Sequence, residues 1–211
     1  MSTYPICLNL DYKKVVVVGG GHVARQKLQS LLPTKAEIII ISPTILPEIE
    51  EYIRQGAASW HKKEFEASDL DGAALIFAVT NSEEINDAVE EAAQHWQLLS
   101  RADAKGRVDF MNPAVVRRGD FLLSVSTSGA SPTLTRKVKE ELASMYDEAY
   151  EHYVAFLKQA RVEIMNAIQQ PAERKQALQK LVSPDILQWI REGNEEKCQE
   201  FLQQLLKEKT W

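Results

Sequence analysis

The sequence lacks the features that would assign it to several common functional classes. It has only two cysteines, Cys7 and Cys198, which stand too far apart for a metal-binding motif, and its four histidines show no mutual ligand spacing. No apolar stretch is long enough to span a bilayer, and the N-terminus lacks the basic region and apolar core of a signal peptide. We therefore expect a cytoplasmic protein with no metal site and no membrane attachment.

The chain also has little excess charge. Its formal net charge of −5 argues against nucleic-acid binding. The hydrophobic fraction of 45% and the charged fraction of 26% are those of an ordinary globular protein. A chain of 211 residues has room for one large domain, or for one domain and a smaller appendage.

Strand and helix patterns alternate through the first half of the chain. The predicted strands are Lys14–Val18, Glu37–Ser42, Ala58–His61, Leu75–Val79 and one that begins at Leu98, and the predicted helices are Val23–Leu32, Pro47–Gln55 and Ser82–Gln94. This alternation indicates a parallel sheet with right-handed crossovers, so residues 1–113 are predicted to form an α/β domain of the Rossmann type.

The pattern changes after this domain. Residues 114–146 contain a strand at Phe121–Ser126, a loop of small residues and a helix from Thr133 to Tyr146. Residues 147–211 have almost no glycine and no strand pattern, and we expect them to form a separate helical domain.

A glycine-rich turn joins the first strand to the first helix. Its sequence fits the pattern G-x-G-x-x-A, in which Gly19 makes the tight turn, Gly21 lets the backbone approach a pyrophosphate and Ala24 allows close helix packing. The free N–H groups of the following helix favour negative phosphates. The turn predicts a dinucleotide site that includes His22 and Val23, and the alternative is a glycine-rich turn that binds nothing.

The second strand ends in Ser42, Pro43 and Thr44, where a typical NAD site has an acidic residue for the ribose hydroxyls. No acid is present there, and no arginine is present to hold the 2′-phosphate of NADP. Hydroxyl groups can still bind the ribose, which favours NAD. The alternative is that these residues only cap the next helix.

Two further segments follow strand ends at the same predicted edge of the sheet, where open α/β sheets bind their ligands. Thr80 and Asn81 are predicted to contact the nicotinamide side of the cofactor, unless they serve only to begin the next helix, with Asn81 or Ser82 as its cap. Asp103 is the carboxylate best placed to move a proton, although an aspartate in a loop is more often a turn or cap residue.

Basic residues are concentrated between Ser100 and Glu140. This segment has a net charge of +4, so the remainder of the chain has a net charge of −9. A basic segment in an acidic protein favours a small anionic substrate, and an anion at the start of the helix that contains Arg136 would offset unfavourable basic charge there. The alternative is a solvated charged helix face.

Several segments of the chain together resemble the precorrin-2 dehydrogenases of sirohaem synthesis, over about residues 4 to 145. The matching residues are Pro5, Ile6 and Leu8; Val18–Arg25 with Lys27; Ala78–Asn81; Asp103 with Phe110 and Pro113; and Val125–Pro132. The helical tail resembles the single-function bacterial members in length and character. The resemblance implies that NAD accepts a hydride from precorrin-2, that a base removes a proton, and that sirohydrochlorin is the product.

The resemblance also assigns residue roles. Asp103 corresponds to the essential aspartate of the family, and residues that match His22, Val23, Pro43 and Thr44 line the NAD site. The family is homodimeric, which implies that residues 114–146 are a dimerisation segment between the Rossmann domain and the helical C-terminal domain. The substrate is a tetrapyrrole with many carboxylates, and its predicted contacts are Arg101, Lys105, Ser126, Thr127, Ser128, Gly129, Ser131 and Arg136.

Three hypotheses for function remain. The first is a dehydrogenase alone, with a separate chelatase downstream, and the second is a dehydrogenase that also inserts iron. The third is a non-catalytic NAD-sensing module, which would need the glycine turn but not Asp103. Thr127 stands where some bifunctional relatives have a second serine, so a modification known there does not carry over directly.

Overall fold

The computed structural model describes residues 3–103 and 105–207, and the chain divides into two compact units, Met1–Asn112 and Pro113–Trp211. The ends of the predicted domains at residues 1 and 211 lie outside the described residues. The finer division of the second unit at residues 146 and 147 stays a prediction.

The first unit is a parallel α/β sheet, as the sequence predicted. Its elements are β1 (Lys14–Val18), α1 (His22–Leu31), β2 (Glu37–Ile41), α2 (Pro47–Arg54), β3 (Ser59–His61), a 3-10 turn (Ala67–Leu70), β4 (Ala73–Ala78), α3 (Glu83–Ala92) and β5 (Leu98–Arg101). The strands lie in the order β3-β2-β1-β4-β5, and all four pairings are parallel.

The run of valines in β1 forms the centre of the sheet because both faces of the strand are covered. Val15 and Val17 pack into one apolar cluster with Leu28 of α1, and Val16 and Val18 pack into a second cluster on the opposite face. Successive side chains of a strand point to opposite faces, so a strand covered on both sides must be apolar throughout. Strand order reverses between β1 and β4, which is where such sheets bind ligands.

The second unit combines a hairpin with helices. The sequence analysis missed β6 (Ala114–Arg118), which pairs antiparallel with β7 (Phe121–Val125), and it also missed the 3-10 turn of the first unit. The helices are α4 (Pro132–Met145), α5 (Ala149–Ala167), α6 (Pro171–Leu181), α7 (Pro184–Arg191) and α8 (Glu195–Lys207). Residues of α5–α8 share an apolar core, whereas α4, every residue of which is described, buries no side chain.

Most other elements match their predicted positions with shifted ends, and one shift matters for function. The sequence placed Arg101 in a loop, but β5 continues through it, and Arg101 pairs with Ala78 of β4. The backbone of Arg101 is therefore part of the sheet and not of the following loop. None of the helices in the described part of the chain combines the length and apolar character needed to cross a bilayer.

Candidate functional site

The glycine turn is built by close backbone packing. Gly19 has a φ of +120°, and a Cβ there would lie 2.7 Å from the carbonyl oxygen of Val79, so only glycine fits without strain. A Cβ at Gly20 would collide with the carbonyl of Thr44. The Gly20 carbonyl accepts a hydrogen bond from Leu46 N (3.0 Å), which ties the turn to the segment after β2.

Gly21 is different, because no described atom lies within 4 Å of the position that its Cβ would occupy. The backbone there is open to a ligand, at the start of α1, and the His22 and Val23 side chains beside it are exposed. Gly19 and Gly20 pack closely against neighbouring backbone, while Gly21 leaves open space at the N-terminus of α1. This combination fits the pyrophosphate of a dinucleotide bound at a helix N-terminus.

The residues after β2 form a shaped loop beside this turn. The Ser42 hydroxyl donates to the Thr44 carbonyl (2.7 Å), and the Ser42 carbonyl accepts from Trp60 Nε1 (2.8 Å). Ser42 is buried, while Pro43 and Thr44 are exposed. Ser42 therefore shapes the loop, and the exposed hydroxyl next to the glycine turn is that of Thr44.

Thr80 and Asn81 follow β4 at the same edge of the sheet. The Thr80 hydroxyl lies within hydrogen-bond distance of two acceptors, Asn86 Oδ1 (2.8 Å) and the Ser82 carbonyl (2.9 Å), which share its one hydrogen. Ser82 caps α3 by accepting from Ile85 N (3.3 Å), so of the two capping candidates the structure selects Ser82. Asn81 is exposed and is not that cap.

Asp103 lies just beyond β5, and four donors hold its carboxylate. Oδ1 accepts from Arg101 Nε (3.1 Å) and from the Lys105 backbone N–H (3.2 Å), while Oδ2 accepts from Arg101 Nη2 (2.8 Å) and Asn86 Nδ2 (3.1 Å). The Arg101 hydrogen bonds, aided by those from Asn86 and Lys105, hold the pKa of Asp103 far below its usual range despite partial burial. The carboxylate is ionised at neutral pH.

Arg101 is already engaged with protein carboxylates. Only 2% of its side chain is exposed, and Nη1 lies 2.7 Å from Asp87 and 2.6 Å from Glu90, in addition to the contact with Asp103. The hydrogen bonds that its guanidinium donates to Asp103, Glu90 and Asp87 raise the pKa of Arg101. An arginine with three carboxylate partners is part of the framework of the site.

One face of α3 contacts the described residues of the segment at the end of β5, residues 101–103 and 105–107, which we call the Asp103 loop. Lys105 Nζ contacts Glu83 (2.6 Å), and the Arg107 backbone N–H donates to Glu90 Oε1 (2.9 Å). The residues of α3 that contact this loop recur with helical spacing, and they are Glu83, Asn86, Asp87 and Glu90. The sequence analysis missed Asn86, Asp87, Glu90 and Gly20 as parts of the site. The helical spacing of Glu83, Asp87 and Glu90 can be read from the sequence, but their contacts with Arg101, Lys105 and Arg107 cannot.

The loop between β7 and α4, Ser126–Ser131, is called the serine loop. It belongs to the second unit and is held by hydroxyl and backbone hydrogen bonds. Thr127 Oγ1 accepts from Ser131 N (3.1 Å) and lies 3.0 Å from Thr135 Oγ1, and Ser131 caps α4 by accepting from Leu134 N (3.2 Å). Ser126 Oγ accepts from Ser128 N (3.1 Å).

Ser128 and Gly129 have φ values of 49° and 84°, in the left-handed region of backbone space. Arg136 is exposed and pairs with Glu140 (2.9 Å). The roles of the serine loop and Arg136 in binding stay predictions.

In the first unit, the structure brings the predicted cofactor residues and Asp103 to one edge of the sheet. The backbone hydrogen bonds between neighbouring strands continue past the strand ends. Gly19 N donates to the carbonyl of Ile41, Val79 N to that of Val18, and Ala102 N to that of Ala78. Among the described residues no cluster of histidine, cysteine and acidic side chains could hold a metal ion. A parallel sheet with an open glycine turn and an ionised carboxylate at its carboxyl edge defines a Rossmann-type dinucleotide-binding protein with a candidate proton-transfer group.

Comparisons with known proteins narrow this class. The family model described as putative NAD(P)-binding matches residues 6–114, and the model described as sirohaem biosynthesis protein central matches residues 123–145. A precorrin-2 dehydrogenase from Priestia megaterium is 32% identical over 98% of this chain and 100% of its own length. A precorrin-2 dehydrogenase from Bacillus subtilis is 32% identical over 74% of this chain and 97% of its own length.

The structural comparison agrees with the sequence comparisons. The solved structure of SirC, a precorrin-2 dehydrogenase, has a TM-score of 0.81 and 32% identity, and the match covers 97% of this chain and 100% of that one. The sirohaem synthase of Nitrosospira multiformis is 27% identical over the full chain, which spans 46% of that longer protein. The chain belongs to the precorrin-2 dehydrogenase family. The predicted family and fold class are confirmed.

Proposed function

We propose that this protein catalyses the NAD-dependent dehydrogenation of precorrin-2 to sirohydrochlorin in sirohaem biosynthesis. The observation that carries the proposal is the position of Asp103, an ionised carboxylate, at the same sheet edge as the open Gly21 turn. A precorrin-2 dehydrogenase that is 32% identical over 98% of this chain supports the same reaction. A non-catalytic NAD sensor would have no need of the four donors around Asp103.

The cofactor residues divide by the part of NAD that each would hold. Gly19, Gly21, His22 and Val23 would hold the pyrophosphate, the Ser42–Thr44 loop the adenosine ribose, and Thr80 and Asn81 the nicotinamide side. When bound, NAD supplies the acceptor for the hydride that leaves precorrin-2. The loss of two hydrogens from the macrocycle is balanced by this hydride and by one proton.

Asp103 is the proposed acceptor of that proton, on one of its two carboxylate oxygens. Because four donors now occupy the carboxylate, one of these hydrogen bonds must lengthen before a proton can bind. The donors keep the group ionised, but by lowering its pKa they also make it a weak base, so the loss of one of these hydrogen bonds would also raise its basicity.

The basic residues divide into two kinds. Lys105 and Arg136 are exposed and paired with exposed glutamates, and such pairs contribute at most about 1 kcal/mol, so a substrate carboxylate can replace the glutamate. We propose these two residues, with the serine-loop residues, as contacts for the substrate. Arg101 has a buried side chain and three protein partners, so we assign it to holding Asp103.

We further propose a cytoplasmic homodimer in which residues 114–146 form part of the contact. The side chains of α4 are all at least partly exposed, including Leu134 and Met145, which is consistent with a covering partner. Light scattering of the purified protein measures the mass, and a monomer would contradict the proposal.

The decisive experiment follows NADH absorbance after purified protein is mixed with precorrin-2 and either NAD or NADP. We expect NADH formation with NAD and much slower NADPH formation with NADP, because the Ser42–Thr44 loop has no arginine for a 2′-phosphate. Absence of NADH would contradict the proposal. Adding ferrous iron to sirohydrochlorin with the same protein tests for chelatase activity, and no acceleration is expected if a separate chelatase follows.

A further inference from the structure

Asn86 connects the two predicted sides of the site. Its side chain is 1% exposed, and Nδ2 donates to Asp103 Oδ2 (3.1 Å) and to the Thr80 carbonyl (3.3 Å). Its Oδ1 accepts from Thr80 N (3.2 Å) and lies 2.8 Å from the Thr80 hydroxyl. One amide therefore links the segment after β4 to the segment after β5.

Each donor and acceptor position of this amide faces a polar partner. Both Nδ2 hydrogens are donated, to Asp103 and to the Thr80 carbonyl, while Oδ1 accepts from Thr80 N and faces the Thr80 hydroxyl, whose one hydrogen is shared with the Ser82 carbonyl. A buried amide with every partner in place has one favoured orientation, because any rotation would leave polar groups unpaired. Asn86 is thus a rigid bridge between Thr80 and Asp103.

Arg101 and Asn86 act on Asp103 in different ways. The guanidinium supplies charge through two hydrogen bonds, while the neutral amide links Asp103 to the Thr80 segment. The charged groups around Asp103 are Arg101 from β5, Lys105 from the following loop, and Glu83, Asp87 and Glu90 from α3, which pair with these two cations.

We propose that Asn86 is a positioning residue for the dehydrogenation, which fixes the carboxylate of Asp103 relative to Thr80 on the nicotinamide side of the site. It touches neither substrate nor cofactor and acts through Thr80 and Asp103 alone. The inference rests on the proposed function, since it needs Asp103 as the proton acceptor and Thr80 beside the cofactor. Misplacement of a reacting group by about 1 Å can cost about 100-fold in rate, so a rigid bridge matters at this point.

Two variants test the bridge. Asn86→Asp keeps acceptors for Thr80 but removes the donor to Asp103 and adds a like charge beside it, and both changes raise the pKa of Asp103. We expect the acid limb of the kcat/KM profile to move up by at least about one pH unit and kcat to fall about 10- to 100-fold. Asn86→Leu removes the hydrogen bonds without adding charge, so kcat should fall similarly with a smaller shift of the limb. The dissociation constant of NAD should change less than about two-fold in both variants.

Ser82→Ala is the matched control, because it removes the cap of the same helix without touching Asp103. It should lower the melting temperature by about 2–4 °C and leave the acid limb unchanged. If the Asn86 variants lower the melting temperature in the same way but keep the wild-type kcat and acid limb, Asn86 is only structural and the proposal is overturned.

A measurement on the unmodified protein covers the case in which neither Asn86 variant folds. The carboxyl carbon of Asp103, followed by NMR, should show no protonation as the pH falls past about 4, where a free aspartate titrates. Titration of Asp103 at the ordinary value would overturn the proposal, because the hydrogen bonds from Arg101, Asn86 and Lys105 would then not hold its carboxylate. This measurement does not depend on turnover, so its failure is distinguishable from a failure of wild-type protein to form NADH.

Discussion

The two loops predicted to bind the substrate are stabilised by different interactions. The Asp103 loop is held mainly by ionic contacts, in which the side chains of Arg101 and Lys105 reach acidic residues of α3. The Arg107 backbone N–H adds a hydrogen bond to Glu90. The serine loop is shaped by hydrogen bonds among hydroxyl and backbone groups and by left-handed backbone at Ser128 and Gly129.

This difference indicates how each loop responds to change. The geometry of the Asp103 loop depends on charge, so it should respond to pH and to the deletion of a single cation. Hydroxyl hydrogen bonds do not titrate near neutral pH, so the serine loop should respond to backbone substitutions instead.

Arg101→Met should have the largest effect on stability. Methionine fills much of the same space but leaves Asp87, Glu90 and Asp103 without their shared cation, and breaking a buried ion pair on one side costs about 3–5 kcal/mol. Urea denaturation measures the change. Arg136→Met is the control, because its exposed pair with Glu140 contributes at most about 1 kcal/mol. Equal losses in the two variants would contradict the contrast.

Acid should have the second-largest effect on stability, through the Asp103 loop. The folded-state pKa of Asp103 is below the unfolded value of about 3.9, so its contribution to the free energy of unfolding is fully present above that value. The contribution is lost as the pH falls through the folded pKa, because the unfolded chain then binds more protons. Urea denaturation at a series of pH values measures this. Asp103→Asn should lose that part of the acid dependence, and an unchanged slope would show that other carboxylates are responsible.

The parts of the fold that were predicted correctly are those specified by local pattern. Strands such as β1 are continuously apolar after their first residue, and the proline and serine residues at helix starts mark the positions of the helices. The missed strand β6 ends in Arg117 and Arg118, and only Val116 is buried. It therefore shows neither the alternation of apolar and polar residues of a half-buried strand nor the continuous apolar run of a fully buried one. Its existence depends on pairing with β7.

The candidate site was predicted in its exposed parts and missed in its buried parts. Gly21 and Asp103 follow from motif and resemblance, but Gly20 is required because it packs against Thr44 on another loop. Asn86 contacts Asp103 across 17 residues of sequence, so only the folded chain shows that they meet. Arg101 was predicted to bind substrate because its three carboxylate partners cannot be recognised from a linear charge count.

Two glycines provide a smaller test of the same contrast. Gly106 and Gly129 both have positive φ, so an alanine at either position costs about 1–2 kcal/mol in backbone strain. A Cβ at Gly129 meets no described atom within 4 Å, whereas a Cβ at Gly106 would collide with the Glu90 carboxylate that Arg101 holds in place. We expect Gly106→Ala to lower the free energy of unfolding by more than Gly129→Ala. Thermal unfolding of both variants checks this order, and the reverse order would mean that Glu90 moves freely.

Lys105→Met should have the smallest effect on stability. The Lys105 ammonium pairs with Glu83, and the two side chains are 61% and 56% exposed, so solvent screens the attraction and the free energy of unfolding should hardly change. The hydrogen bond from the Lys105 backbone to Asp103 is retained, so kcat should be nearly unchanged. If Lys105 binds a substrate carboxylate, KM for precorrin-2 should rise several-fold while KM for NAD stays constant. A large fall in kcat with no change in KM would instead mean that the side chain of Lys105 belongs to the ionic framework of Asp103.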